Sequence, residues 1–136
     1  MKRLTALMLC LVTLITATIT VYADSIQPYS NNVNSTEVSF IISSSGNATV
    51  TCKYYGKSGI TQNSEIVTKV QKKYGLIWIT VSGGSWTDTS TATNFSKSHS
   101  VQLSDTGTYR AHVEFTISGS GGSDDKITKN VEKTYS

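Results

Sequence analysis

The sequence is poor in cysteine, with only two among its 136 residues. Cys10 lies in an apolar N-terminal stretch that we expect to be removed, which leaves Cys52 without a partner in the chain. An internal disulfide is then excluded, and a lone cysteine in an exported domain is either buried or paired with another molecule. Cys52 falls on the same side of a predicted strand as Val50 and Tyr54, which favours burial in the core.

Charged residues are also few, at 15% of the chain, and they form no long run. Two of the three units of net positive charge belong to Lys2 and Arg3, in the stretch that we expect to be removed. The remainder is close to neutral, and no basic run is longer than the two lysines at 72–73, so nucleic acid is not an expected partner. No charge pattern indicates any other partner.

Catalytic and metal-binding patterns are missing as well. The only histidines, His99 and His112, fall on predicted strands without a neighbouring H-E-x-x-H motif or cysteine cluster, so we expect no zinc site. No G-x-S-x-G sequence occurs, and the many serines follow loop composition. The Asp-Asp pair at 124–125 offers too few spaced oxygen ligands for calcium and is expected to be a solvated turn. We therefore expect neither an enzyme nor a cofactor.

The start of the chain has the pattern of a secretion signal. A basic beginning precedes an apolar stretch over residues 4–21, and small residues stand at Val21 and Ala23. This pattern predicts a signal peptide over residues 1–23, cleaved after Ala23, and a secreted protein that meets the membrane only through this peptide. A retained anchor is the alternative, but no basic stop-transfer cluster follows. A lipoprotein signal is not expected, because Cys10 lies too early in the stretch.

The remaining chain has the pattern of an all-β domain. Residues 24–36 hold the only proline and a cluster of asparagine and serine, which predicts a flexible leader. Residues 37–136 repeat short β-branched and aromatic runs without helical spacing. The predicted strands are at 38–42, 48–54, 65–73, 76–81, 95–103, 108–118 and 126–135. About seven strands predict an antiparallel β-sandwich, immunoglobulin-like or fibronectin-like, with a closed barrel as the alternative.

Three segments add detail to this prediction. Residues 108–118 alternate strictly between apolar and polar side chains, which predicts one buried and one wet face. The short Tyr74-Gly75 link predicts a hairpin between the two strands that flank it. The glycine-rich residues 118–125 predict a flexible connection before the last strand.

One local motif precedes the most regular strand. Asp105, Gly107 and Tyr109 match the D-x-G-x-Y pattern of a tyrosine corner, in which the tyrosine hydroxyl bonds to backbone a few residues upstream. Immunoglobulin domains place a cysteine two residues after this tyrosine, where this chain has Ala111. The chain therefore keeps Cys52 but lacks the second half of such a disulfide, which argues against a true immunoglobulin domain.

Residues 66–109 carry a resemblance to a known family. The shared features are the Val-Gln-Lys-Lys sequence at 70–73, Gly-Gly-Ser-Trp at 83–86, a Ser/Thr tract at 87–93, Phe-Ser-Lys at 95–97, and Tyr109. In these features the chain resembles a family of short secreted proteins of unknown function from Gram-positive, clostridial-type bacteria. The resemblance implies a secreted bacterial β-domain and brings no activity or functional residues.

Aromatic side chains are the candidates for ligand binding. Trp86 follows a Gly-Gly-Ser sequence that predicts a loop, while Tyr55, Tyr74 and Trp78 lie at predicted strand ends or opposite the isoleucines. Exposed rings of this kind stack on sugars or anchor a protein partner. The alternative is that Trp78 and Trp86 cover the two ends of the core.

These observations favour a non-enzymatic binding or adhesion module, acting outside the cell on a glycan or an extracellular protein. A secreted effector, such as a bacteriocin-like protein or an enzyme inhibitor, is one alternative. Another is a structural module that assembles with itself through its first or last strand, both of which are predicted to be short and open to pairing.

Overall fold

The computed structural model describes residues 30–136. The predicted signal peptide, with Cys10, and residues 24–29 of the predicted leader lie outside the described residues. Within residues 30–136 the chain forms seven strands: β1 (Val33–Ile42), β2 (Asn47–Gly56), β3 (Thr61–Tyr74), β4 (Ile77–Ser90), β5 (Asn94–Gln102), β6 (Gly107–Gly119) and β7 (Gly122–Tyr135).

The strands form two antiparallel sheets. One sheet has the order β1-β2-β5, and the other has the order β4-β3-β6-β7. The predicted all-β sandwich is therefore confirmed, and the described strands do not close into a barrel. In an immunoglobulin constant domain the fourth strand belongs with the first, second and fifth, whereas here β4 pairs with β3. The arrangement thus departs from the immunoglobulin constant type.

Strand β6 supplies much of the core. Its inward side chains are each at most 1% exposed, and they are Tyr109, Ala111, Val113, Phe115 and Ile117. They face an equally buried row on β2, formed by Ala48, Val50, Cys52 and Tyr54. The alternation along residues 108–118 therefore predicted the buried face correctly.

Cys52 is a buried core residue, as the sequence predicts. It is 1% exposed, and its Sγ lies 3.3 Å from Oγ1 of Thr68 on the facing strand. Burial raises the pKa of the Cys52 thiol, and the charge of Asp88 adds to this, while the Thr68 contact opposes it. The side chain therefore acts as a small hydrophobic residue in its protonated form.

The tyrosine corner is present. The Tyr109 hydroxyl donates a hydrogen bond of 2.5 Å to the carbonyl oxygen of Asp105. Gly107 has a φ of 145°, and a Cβ added there would lie 3.0 Å from the Lys72 Cε. The backbone conformation therefore favours glycine at this position, whereas the flexible end of the Lys72 side chain could move to admit a Cβ.

The first strand begins earlier than the sequence predicts. β1 starts at Val33, so residues 33–36, predicted as part of a flexible leader, belong to the sheet. The carboxylate of Asp125 accepts hydrogen bonds from three consecutive backbone N–H groups, those of Asn31, Asn32 and Val33, at 2.8, 2.7 and 3.0 Å. A charge-assisted contact from β7 thus holds the start of β1, which composition alone did not indicate.

The prediction for residues 118–125 is also corrected by the structure. β6 continues to Gly119 and β7 begins at Gly122, so the predicted flexible connection is mostly strand with a two-residue turn. Asp125 is 8% exposed and was expected in a solvated turn. That expectation was wrong because the backbone donors that satisfy Asp125 come from a distant part of the chain.

Strand β4 corrects the predicted Gly-Gly-Ser-Trp loop. β4 runs without interruption from Ile77 to Ser90, and the pairing with β3 shifts between Lys69 and Gln71. Residues 81–84 of β4 lie opposite the single residue Val70 of β3, so the glycines form a bulge inside a strand. Trp86 is consequently a strand residue that pairs with Thr68.

Candidate functional site

The β3–β4 hairpin carries four of the six large exposed hydrophobic side chains among the described residues. Tyr74 pairs with Ile77, and Gly75 and Leu76 form the two-residue turn between them. Gly75 has a φ of 61°, a conformation that two-residue hairpin turns favour and that glycine adopts without strain. The predicted hairpin is confirmed, but Leu76, expected in a strand, stands in its turn.

Four neighbouring apolar side chains near the turn are open to solvent. Leu76 is 98% exposed, Ile77 59%, and Ile79 and Tyr74 each 49%. We call these four residues the hairpin patch. Tyr74, Ile77 and Ile79 lie on the side of β3 and β4 that turns inward, since the same side of β3 carries fully buried Val70 further along. The three-stranded sheet therefore does not extend far enough to cover the end of the hairpin.

A cleft lies beneath the hairpin patch. It has a volume of about 370 Å³ and separates the hairpin from the connection between β5 and β6. Its lining includes Lys72, Tyr74 and residues 80–82 from the hairpin side, and residues 102–105 and Tyr109 from the other. The tyrosine corner thus forms part of the wall that faces the hairpin patch.

Lys72 places a positive charge in this cleft. Its Nζ lies 3.5 Å from the Asp105 carboxylate, and 5.4 and 5.6 Å from the ring centroids of Tyr74 and Tyr109. Burial acts to lower the pKa of Lys72, but Tyr109, Tyr74 and Asp105 together outweigh it, so the pKa is raised. The ammonium group therefore stays charged at neutral pH next to the hairpin patch.

Trp78 lies on the opposite, outer side of the same hairpin. The guanidinium carbon of Arg110 is 4.4 Å from its ring centroid, and the Nζ of Lys73 is 5.6 Å away. Arg110 is held in turn by Gln71, whose Oε1 accepts a 2.8 Å hydrogen bond from the Arg110 Nε. Cations therefore already occupy ring surface of Trp78 that a sugar would need for stacking.

The four aromatic residues proposed from the sequence do not form one platform. Tyr74 belongs to the hairpin patch, and Trp78 lies behind it on the outer face. Trp86 stacks on His99 at 4.8 Å between ring centroids and packs against the core, which agrees with the alternative of a core-covering role. Tyr55 is 42% exposed and pairs with Asn94 at the other end of the sandwich.

The sequence analysis did not identify Leu76, Ile77 and Ile79 as site residues. Their apolar character resembles that of a core strand, and alternation alone does not show how far the facing sheet extends. The available signal was Leu76 directly after Gly75, because a leucine in a two-residue turn has no neighbouring strand to cover it.

Asp88 and His99 form a second polar contact that the sequence did not reveal. The Nε2 of His99 lies 2.6 Å from the Asp88 carboxylate, and the pair joins β4 of one sheet to β5 of the other. Residues 30–136 contain no group of three or more histidine, cysteine, aspartate or glutamate side chains placed to hold a metal ion. The same part of the chain has no helix long and apolar enough to span a membrane.

Comparison with protein families and with curated proteins gave no match for this chain. The resemblance to short secreted proteins of Gram-positive bacteria stays a prediction, and the case for a function rests on the hairpin.

Proposed function

We propose that this protein is a non-enzymatic secreted binding or adhesion module that contacts its target through the β3–β4 hairpin. The observation that carries the proposal is the hairpin patch, where four neighbouring apolar side chains are half to fully exposed. Scattered exposed hydrophobic residues are normal, but a contiguous apolar patch marks an interaction site. The hairpin is anchored in the four-stranded sheet, which holds such a site in a defined position.

The chemistry of the hairpin patch favours an apolar target over a glycan. Three of its four side chains are aliphatic, whereas carbohydrate recognition uses the open faces of aromatic rings. Trp78 is covered by Arg110, and Trp86 is stacked on His99, so neither ring is free for this purpose. The hairpin patch therefore fits an apolar surface better than the glycan that the sequence suggested.

The alternative functions have less support. Self-assembly would use β1 or β7, which lie at the edges of the two sheets, but nothing beyond this edge position points to a second copy of the chain. The amides at the start of β1 are also bonded to Asp125 of β7. A secreted effector that acted through the hairpin would use the same surface and would differ from a binding module only in its effect on the target.

The test is binding of the exported, purified protein to a panel of intact bacterial and mammalian cells, with a glycan array in parallel. Leu76→Asp should abolish saturable cell binding, because it places a charge at the most exposed apolar position. Ile41→Asp is the matched control, since Ile41 is 62% exposed on the outer face of the other sheet. Equal binding by both variants, or binding of the protein to glycans alone, would refute the proposal.

A further inference from the structure

We infer that the target of the hairpin is an anionic phospholipid surface, into which the hairpin patch inserts. The inference rests on the proposed binding function and names its partner. It differs from the sequence-based expectation that the chain meets a membrane only through its signal peptide. Three observations support it: the order of side chains along the hairpin, the charges behind its apolar end, and the small size of the hairpin patch.

The side chains follow the order of a membrane interface. Leu76 stands at the turn, the Tyr74–Ile77 pair comes next, and the Lys73–Trp78 pair follows. Successive pairs are about 3.4 Å apart, so Lys73 and Trp78 lie about 7 Å behind the turn. Elements that lie in the interface bury their apolar side to about 5–10 Å, which would bring these two residues to the level of the head groups.

Residue types also match this depth. Leu76 and Ile77 are purely aliphatic and suit the acyl chains. Tyrosine and tryptophan concentrate at the boundary between lipid and water, because their rings combine an apolar body with a polar group. The long side chain of Lys73 keeps its ammonium in the head-group layer while its methylene groups stay in apolar surroundings. The hairpin therefore presents aliphatic, aromatic and cationic groups in successive layers.

The charge behind the hairpin patch favours anionic head groups. Lys72, Lys73 and Arg110 all lie within 6 Å of the ring of Tyr74 or Trp78. Lys72 pairs with the carboxylate of Asp105, whose side chain is 67% exposed. The ion pairs of residues 30–136 involve neither Lys73 nor Arg110. Apolar insertion and basic residues act together in peripheral membrane binding, since either alone is weak.

The size of the hairpin patch argues against a stable protein partner or a second copy of the chain. Specific protein interfaces use roughly 20–30 residues on each side. The hairpin patch has four residues on one projecting turn, which is enough to enter a fluid bilayer but small for a protein interface.

The experiment uses the exported protein and two kinds of vesicle. One is phosphatidylcholine alone, and the other is phosphatidylcholine with phosphatidylglycerol in equal parts. A Trp86→Phe variant leaves Trp78 as the only tryptophan, so its fluorescence reports on the hairpin alone. We expect the Trp78 emission to shift to the blue with anionic vesicles, to be quenched by brominated lipids, and to change little with phosphatidylcholine. Higher salt should weaken the binding.

Substitutions at the hairpin separate insertion from charge. Leu76→Asp should weaken vesicle binding at least about tenfold, because it removes an inserted apolar group and adds a negative charge. Lys73→Gln should weaken it about fivefold, the contribution of one lysine near an anionic surface. Lys126→Gln, an exposed lysine at the other end of the sandwich, and Ile41→Asp are the controls and should bind as the parent does.

The outcomes distinguish this inference from the proposed function. Cell binding that depends on Leu76, without any binding to anionic vesicles, would overturn the lipid inference and leave the binding function standing. Vesicle binding that is indifferent to Leu76→Asp, or equal for neutral and anionic lipid, would also overturn it. Failure to bind cells and vesicles alike would refute both proposals.

Discussion

The two ends of the sandwich differ in what they bury and what they expose. At the end where β1 begins, Asn32 is fully buried. Its side-chain amide donates a hydrogen bond of 2.9 Å to the Ser123 carbonyl and accepts one of 3.0 Å from the Gly121 N–H. At the end where β3 meets β4, Leu76 is 98% exposed and Ile77 59%. The first end, which we call the closed end, satisfies its polar groups through long-range hydrogen bonds. The second, which we call the open end, leaves apolar side chains in water.

This difference separates what the fold needs from what it presents. The closed end stabilises the domain, because paired buried groups would cost about 1–3 kcal/mol each if left unsatisfied. At the open end, Leu76 contributes little to stability, since a side chain that is 98% exposed gains no burial on folding. The four neighbouring apolar side chains that stay exposed at this end are the support for the proposed binding function.

The largest expected effect is the protection of the Cys52 thiol from chemical labelling. It tests whether the core, which the closed end stabilises, stays shut in the native protein. The thiol should react with a thiol reagent at least about a thousandfold more slowly than in the unfolded chain, because reaction requires opening of the core. Its raised pKa adds to this by disfavouring the thiolate. The rate of labelling, compared with the rate in denaturant, measures the effect, and rapid labelling of the native protein would contradict the buried position.

The same thiol gives a dependence on pH. A raised pKa means that the folded state disfavours the thiolate, so the unfolded thiol ionises first as the pH rises above its ordinary value of 9.0. Stability from this group is therefore present below that pH and lost above it. Cys52→Ala should remove this part of the alkaline loss, which unfolding measured across the range would show.

Asp125→Ala should have the next largest effect and tests the closed end directly. It removes the acceptor of three backbone N–H groups, and we expect the free energy of unfolding to fall by about 3 kcal/mol. Urea unfolding measures the change, and labelling of Cys52 should accelerate in parallel. Asp124→Ala is the matched control, because Asp124 is exposed and should change the free energy by less than about 0.5 kcal/mol. Similar losses for both variants would contradict the role of Asp125.

Tyr109→Phe should have a smaller effect and tests the wall of the cleft on the open side. The substitution keeps the buried ring and removes only the hydrogen bond to the Asp105 carbonyl. We expect a loss of about 1 kcal/mol in the free energy of unfolding. Tyr55→Phe, at an exposed tyrosine on the other end, is the control and should leave the stability unchanged. A comparable loss in both variants would contradict a specific contribution of the Tyr109 hydrogen bond.

Much of the fold could be predicted from the sequence, because it depends on local patterns. The alternation along residues 108–118 and the spacing of Asp105, Gly107 and Tyr109 each lie within a dozen residues, and both predictions are confirmed. The contact between Asp125 and Asn32 spans 93 positions, so no local pattern indicates it. The glycines at 83–84 predicted a loop, but they form a bulge because the strand continues beyond them.

The candidate site was predicted only in part. Tyr74 and Trp78 were named because aromatic residues at strand ends often bind ligands, and both lie on the hairpin. Leu76 and Ile77 were not named, since their exposure depends on how far the facing sheet extends. That length is a property of the assembled sandwich and is not encoded in the hairpin itself. Trp86 was placed in a loop for its glycine neighbours, and its stacking on His99 depends on a strand of the other sheet.

The most direct test of the difference between the two ends measures stability and binding together in Leu76→Ser. Our account predicts a free energy of unfolding within about 0.5 kcal/mol of the parent protein, since the side chain is 98% exposed, together with a clear loss of binding to cells and anionic vesicles. A substantial loss of stability would show that the hairpin belongs to the structural core. Unchanged binding with unchanged stability would contradict the claim that this end of the sandwich is the binding surface.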